Sequence, residues 1–143
     1  MSDWKERIDA AAKRIAGHVR CTPVMVSRSL TGAPIELKLE QLQHTGSFKP
    51  RGAFNTLLSS AVPEAGVVAA SGGNHGAAVA YAAQRLGIAA RIFVPEMAGP
   101  SKIALIQRSG TEPVVVPGAY ADALAAAQDW ERTSGAMQVH AYD

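Results

Sequence analysis

An α/β fold built on an open parallel sheet with crossover helices is what this sequence predicts, and three features carry the prediction. From Val67 onward four β-rich runs, Val67 to Ala70, Arg91 to Val94, Pro113 to Val116 and Met137 to Tyr142, alternate with helical stretches. Parallel neighbours cannot be joined by a tight hairpin, so this alternation points to parallel strands with helices between them. The helical stretches also carry their own punctuation. Pro50 suits a first helical turn, where its missing N–H has no partner to lose, and Ser101 is placed to cap a helix that Gly110 ends. Finally, the helix expected from Tyr120 to about Thr133 is rich in alanine, which suits close packing on a sheet.

The elements before Val67 read differently. Trp4, Ile8, Ala11, Ile15 and Val19 recur at helical spacing within Met1 to Arg20, with charges between them. That pattern predicts an amphipathic surface helix covering something larger. Two short β-like runs follow, Val24 to Ser27 and Ile35 to Glu40, separated by the turn-prone Thr31, Gly32, Ala33 and Pro34. These runs have few sheet partners within the chain, and Asp143 directly follows an apolar run that reads as a strand. Both features lead to the expectation of a missing second lobe.

Composition narrows the function classes. A chain of 143 residues with 48% hydrophobic content can build a real core, which excludes general disorder. The formal charge of +2 comes from 14 basic and 12 acidic residues scattered along the chain. No run of Lys or Arg could track a phosphate backbone, so nucleic acid is not expected as a partner. The charged opening segment has no uninterrupted apolar core for a signal peptide, and no stretch reaches membrane-spanning length. Cys21 is the single cysteine, which forbids an internal disulfide and fits a reducing compartment, so a cytoplasmic location is expected. No metal site is expected.

Two motifs carry chemistry. The first, Thr45-Gly46-Ser47-Phe48-Lys49-Pro50-Arg51-Gly52-Ala53, lies between the run Ile35 to Glu40 and a helix. A residue before proline is pushed away from the α region, so Lys49 should be held at the helix entry on a stiff, glycine-flanked turn. A lysine so presented can form a Schiff base if partial burial or a neighbouring cation such as Arg51 keeps its amine unprotonated. On spacing alone, a solvated helix start is the commoner reading. The second motif, Ser71-Gly72-Gly73-Asn74-His75-Gly76, lies between the run Val67 to Ala70 and a helix through Val79, Tyr81 and Leu86. Small residues there leave backbone N–H groups uncovered at a helix N-terminus, where the dipole favours a carboxylate or phosphate. Spacing alone leaves a ligand-free strand-to-helix turn equally open. The glycines do not give G-x-G-x-x-G, and no suitably placed acidic residue follows, which argues against a dinucleotide site.

Taken in order, Leu37-Lys38-Leu39-Glu40, Thr45 to Ala53 and Ser71 to Gly76 resemble the fold-type II pyridoxal-phosphate enzymes, and within them the serine/threonine dehydratases, with serine racemase as near kin. The resemblance covers essentially the whole chain, including Phe93-Val94-Pro95 and the Ser101-Lys102 helix start. It implies pyridoxal 5'-phosphate as cofactor, a small amino-acid substrate, and a lyase that turns L-serine or L-threonine into a 2-oxo acid and ammonia. It implies that Lys49 carries the cofactor as a Schiff base and, once freed, moves the substrate Cα proton. Phe48 matches the residue beside the pyridine ring and Asn74 the side chain on its phenolic oxygen. Ser71, Gly72, Gly73 and His75 match the loop that receives the substrate carboxylate. Serine racemases carry a serine acid/base where this chain has Gly72, so elimination is favoured over racemisation. A serine racemase or another fold-type II lyase is the alternative enzyme.

The resemblance also implies an architecture. Residues 1–49 would be a helix and strands of an incomplete larger lobe, and residues 50–143 the smaller, three-layer α/β lobe. The family's glycine-rich phosphate loop, its partner for the pyridine nitrogen and any cation site belong to the second half of the fold, and no matching glycine cluster follows Gly76. The isolated chain is therefore expected to be a weak or inactive portion of the enzyme. The non-enzymatic alternative is a truncated domain that self-associates through surface left bare by the missing lobe.

Overall fold

A computed structural model describes residues 3–28 and 32–142. Helix α1 (Asp3–Ile15) is followed by an antiparallel hairpin of β1 (Val24–Ser27) and β2 (Ile35–Lys38), with Val24 opposite Lys38. Two 3-10 turns, Glu40–Leu42 and His44–Gly46, lead to α2 (Lys49–Ser59). The rest alternates strand and helix: β3 (Val67–Ala70), α3 (Asn74–Leu86), β4 (Ala90–Pro95), α4 (Pro100–Arg108), β5 (Val114–Val116), α5 (Tyr120–Ser134) and β6 (Met137–Gln138).

The four later strands form one parallel sheet in the order β5-β4-β3-β6. Side chains alternate across a strand, and here both faces are covered. Val67 and Ala69 of β3 with Ile92 and Val94 of β4 pack on α2, α3 and α4, while Val68, Ala70 and Phe93 pack on Ala123 and Ala127 of α5. This is a three-layer α/β arrangement, built on the parallel sheet that the alternation predicts. All four residues of β3 are buried, which is why it reads in sequence as an unbroken apolar run.

The hairpin joins only its own two strands, and Val24, Met25 and Val26 are exposed. Polar contacts close its open end. Leu39 N–H donates to the Pro23 carbonyl at 3.0 Å, Lys38 Nζ donates to the Thr22 carbonyl, and Thr22 Oγ1 donates to Glu40 at 2.5 Å.

Four expectations need correction. Helix α1 ends at Ile15, because the chain turns at Gly17 in the left-handed region (φ 82°), so Val19 packs against the core from a loop. Within the helix Trp4 and Ile8 remain exposed, and Ile15 alone is buried. The second β-like run is a strand only to Lys38, since Glu40 already belongs to a 3-10 turn. Ser101 does not cap α4, since Gly99 occupies the cap position without a side-chain bond; Gly110 does end the helix, following the C-cap Ser109 with a positive φ of 110°. The run Met137 to Tyr142 is a strand for two residues. One further bond, Val139 N–H to the Val68 carbonyl at 2.9 Å, extends its contact with β3 before the backbone turns away. Met1, Thr31 and Asp143, which figure in the helix, turn and terminus readings, lie outside the described residues.

Candidate active site

The strand order reverses direction between β3 and β6: one connection from β3 leads to β4 on one side, and β6 arrives on the other after α5 crosses the opposite face. At such a switch point in an open α/β sheet, the loops leaving the carboxyl ends of the two strands part and leave a crevice. The loop after β3 is Ser71 to Gly73, and the segment after β6 is Val139 to Tyr142. Both sequence motifs meet this place.

Lys49 is the first residue of α2, with Pro50 behind it where the missing N–H costs no hydrogen bond. Its half-buried amine donates to the Ala141 carbonyl at 2.7 Å, and the nitrogen lies 5.5 Å from the ring centres of both Phe48 and Tyr142. Phe48 is 59% exposed, so its ring face is open to a ligand. Beside Lys49 is a cleft of about 140 Å³, lined by Gly52, Ala53 and Thr56 of α2, by His75, and by Val139 to Ala141. His75 Nε2 lies 3.0 Å from the Val139 carbonyl.

Arg51, whose neighbourhood to Lys49 the sequence singles out, also lines the cleft. Its guanidinium grips Glu40 in a bidentate pair, at 2.7 and 2.9 Å, and also donates to the Arg20 carbonyl at 3.2 Å. Hydrogen bonding from Arg51 lowers the Glu40 carboxyl below its ordinary range, with burial opposing and Thr22 assisting, and the same bond raises Arg51. The pair ties the start of α2 to the end of the hairpin.

At the second motif Gly73 caps α3 with no side-chain bond, leaving the N–H groups of the first turn to face outward. Gly73 N–H donates to Ser71 Oγ at 3.2 Å, which fixes that buried hydroxyl while leaving its own proton to give. Asn74 is exposed at the first helical position. Glycine is required at Gly76 and Gly72 by close approach. A Cβ at Gly76 would lie 2.9 Å from Ile92 Cγ2, and one at Gly72 would lie 2.7 Å from Ala98 Cβ. Of the residues singled out from sequence, Phe48, Lys49, Arg51 and His75 line the one cleft. Ser71, Gly72, Gly73 and Asn74 sit at the adjoining turn, with no hydrogen bond to Lys49 among those of the described residues.

Sequence reasoning missed the other wall. The carbonyls of Val139 and Ala141 hold His75 and Lys49, yet their segment reads as strand. The loop before Lys49 is part of the first sequence motif, but its conformation is not legible there: Thr45 adopts φ 61° and the hydroxyls of Thr45 and Ser47 are buried without a partner. A β-branched residue in the left-handed region is strained by about 1–3 kcal/mol, and such strain gathers at functional sites. Among the described residues no group of three or more His, Cys, Asp or Glu is placed to hold a metal, and no helix is long and apolar enough to cross a membrane.

Known proteins share this fold. The family model described as "Pyridoxal-phosphate dependent enzyme" matches residues 15–143. An L-threonine ammonia-lyase of Thermotoga maritima is 40% identical over 143 residues, covering 96% of this chain and 36% of that protein. Maize serine racemase superposes with a TM-score of 0.87 at 33% identity, covering 94% of this chain and 43% of that one. The processed form of threonine deaminase isoform 2 from Solanum lycopersicum gives 0.82 at 26% identity, covering 97% and 41%. The chain thus spans little more than a third of the curated relatives it matches. With a lysine at the helix entry, an uncapped glycine turn at the switch point and a family match over nearly its whole length, the chain belongs to the pyridoxal-phosphate dependent enzymes.

Proposed function

We propose that this chain is the lysine-bearing portion of an ammonia-lyase that converts L-threonine or L-serine to a 2-oxo acid and ammonia. The observation that carries the reading is the position of Lys49, which presents a primary amine in a cleft at the switch point of the sheet. The residues fit the cofactor. The amine is held by a neutral carbonyl, the Phe48 ring beside it is open, and the Ser47 hydroxyl two residues earlier is buried with no partner. When bound, pyridoxal phosphate supplies the electron sink that makes the substrate Cα–H acidic.

The chain's own residues divide the remaining work. Lys49 would hold the cofactor through Nζ, and the same amine would serve as the base for the substrate Cα proton. Phe48 gives the ring a flat neighbour and Asn74 a hydrogen-bond donor. The substrate carboxylate suits the turn of Ser71, Gly72, Gly73 and His75, where the free Ser71 proton and the first N–H groups of α3 all favour an anion. Gly72 has no proton to give, and the approach of Ala98 leaves no room for a side chain there, which supports elimination over racemisation despite the likeness to a racemase. We divide the chain into residues 1–49, belonging with a larger lobe, and residues 50–143, the smaller lobe. The sheet membership of the strands supports this division. A reducing, cytoplasmic setting accords with the single exposed Cys21.

A second reading, a non-catalytic domain that self-associates, draws on the exposed apolar side of the hairpin. Size-exclusion chromatography over a range of concentrations addresses it: a concentration-independent monomer counts against it. For the enzyme reading, the chain is treated with pyridoxal phosphate, reduced with borohydride and mapped by mass spectrometry. The expected label sits on Lys49 and vanishes in Lys49→Ala. A label shared evenly with Lys5, Lys13, Lys38 and Lys102 sinks the assignment. The 143-residue chain alone is expected to release little or no 2-oxo acid from L-threonine.

A further inference from the structure

The segment after β6 is fixed in place by two hydrogen bonds to the site, Val139 carbonyl to His75 and Ala141 carbonyl to Lys49. Its next residue, Tyr142, puts its ring centre 5.5 Å from Lys49 Nζ, the same distance as Phe48, yet 97% of the residue is exposed. The ring thus stands beside an amine poised to hold a planar group, on a backbone segment that Val139 and Ala141 hold against the site. Two aromatic rings whose centres lie about 4.5–7 Å apart attract each other in offset or edge-on arrangements. A flat ring joined to Lys49 comes within reach of both Phe48 and Tyr142.

We propose that Tyr142 is a further cofactor-contacting residue, the second aromatic wall of the site alongside Phe48. The inference rests on the reading of Lys49 as the cofactor's anchor and adds the residue that the end of β6 delivers. The contact is assigned to the ring, because a planar partner meets an aromatic side chain through its face or edge.

The test is a titration of the full 143-residue chain with pyridoxal 5'-phosphate, trapping with borohydride at each concentration and quantifying the label at Lys49 by peptide mapping. Lys5, Lys13, Lys38 and Lys102 serve as internal controls. Tyr142→Ala is expected to raise the concentration for half-labelling of Lys49 by about threefold to tenfold, as an aromatic pair of ordinary strength dictates. Labelling of the other lysines should not change, and neither should the melting temperature, since the residue is exposed. Tyr142→Phe is expected to match the parent chain. A half-labelling concentration in Tyr142→Ala within twofold of the parent overturns the proposal, and a Tyr142→Phe as weak as Tyr142→Ala overturns the assignment to the ring. A parent chain that labels Lys49 no better than the other lysines takes down the underlying reading and this inference together. Selective labelling that ignores Tyr142 takes down this inference alone.

Discussion

The parallel sheet and the N-terminal hairpin are held by different forces. In β3 every residue is buried, and the helices on both sides contribute apolar surface. In the hairpin no residue of β1 or β2 is buried, and attachment runs through the contacts of Arg51 with Glu40 and Thr22. A two-stranded ribbon is marginal in water without a hydrophobic face to bury. Apolar burial is insensitive to pH, whereas an ion pair is not, so the two regions should fail under different conditions. Lys49 lies at their junction: its helix packs through Phe54 on the sheet side, while the loop before it is tied to the hairpin.

The largest effect expected from this contrast is in the core. Phe54 is fully buried between His18, whose ring centre is 5.2 Å away, and Tyr81, met edge-on at 6.1 Å. Phe54→Ala should cost about 3–5 kcal/mol, whereas Met25→Ala on the hairpin should stay within about 0.5 kcal/mol. Urea denaturation of both variants measures the difference. Comparable losses would mean that the hairpin's exposed face is part of the cooperative core after all, and the contrast would fail.

The polar attachment gives the next effect. The Glu40 and Arg51 side chains are 18% and 31% exposed, so their pair is neither fully buried nor freely solvated. Glu40→Gln should cost about 1–2 kcal/mol, and the loss should appear in the hairpin before the sheet. The sign of the pH dependence follows from the depressed carboxyl. Its stabilisation is complete above the unfolded-state pKa and is lost as pH falls through the lower folded value. Hydrogen exchange of hairpin amides, corrected for intrinsic rates, should therefore show faster opening below about pH 4 in the parent chain. In Glu40→Gln opening should be fast at every pH. A parent hairpin whose protection holds level into acid would show that the Glu40–Arg51 pair is not what secures it.

The same contrast explains how much of the molecule is legible in the sequence. Strand β3 and helix α3 are plain because burial on both faces enforces an apolar pattern, and Lys49 and the glycine turn are plain because their chemistry resides in side-chain identity. Where the structure depends on backbone groups, the pattern is silent. The carbonyls of Val139 and Ala141 hold His75 and Lys49 at the cleft, yet any residue supplies a carbonyl, and the apolar run around them reads as a longer strand. The left-handed Thr45 is hidden for a related reason: threonine is not a residue from which that conformation is expected. Ser101 misleads because a cap is defined by where the backbone enters the helix, and Gly99 takes that position with Pro100 already inside.

The smallest effect lies where the two regions meet behind Lys49. Tyr81 of α3 stacks on His44 of the preceding loop, with ring centres 4.8 Å apart, and its hydroxyl lies 3.1 Å from His44 Nδ1. Burial lowers the His44 pKa, with Arg20 and Arg85 adding to the effect, so the neutral ring is favoured and Tyr81 can donate to Nδ1. Because the folded-state value is depressed, this contribution is present above the unfolded pKa near 6.5 and declines as pH falls through the folded value. Tyr81→Phe keeps the stacked ring and removes the hydroxyl, which should cost about 0.5–1.5 kcal/mol at about pH 8. Removing the donor to neutral His44 should also let the ring protonate more readily, moving its NMR titration midpoint upward. An unchanged midpoint would assign the depression to desolvation and charge alone, and the link between the loop and α3 would then rest on stacking without the hydrogen bond.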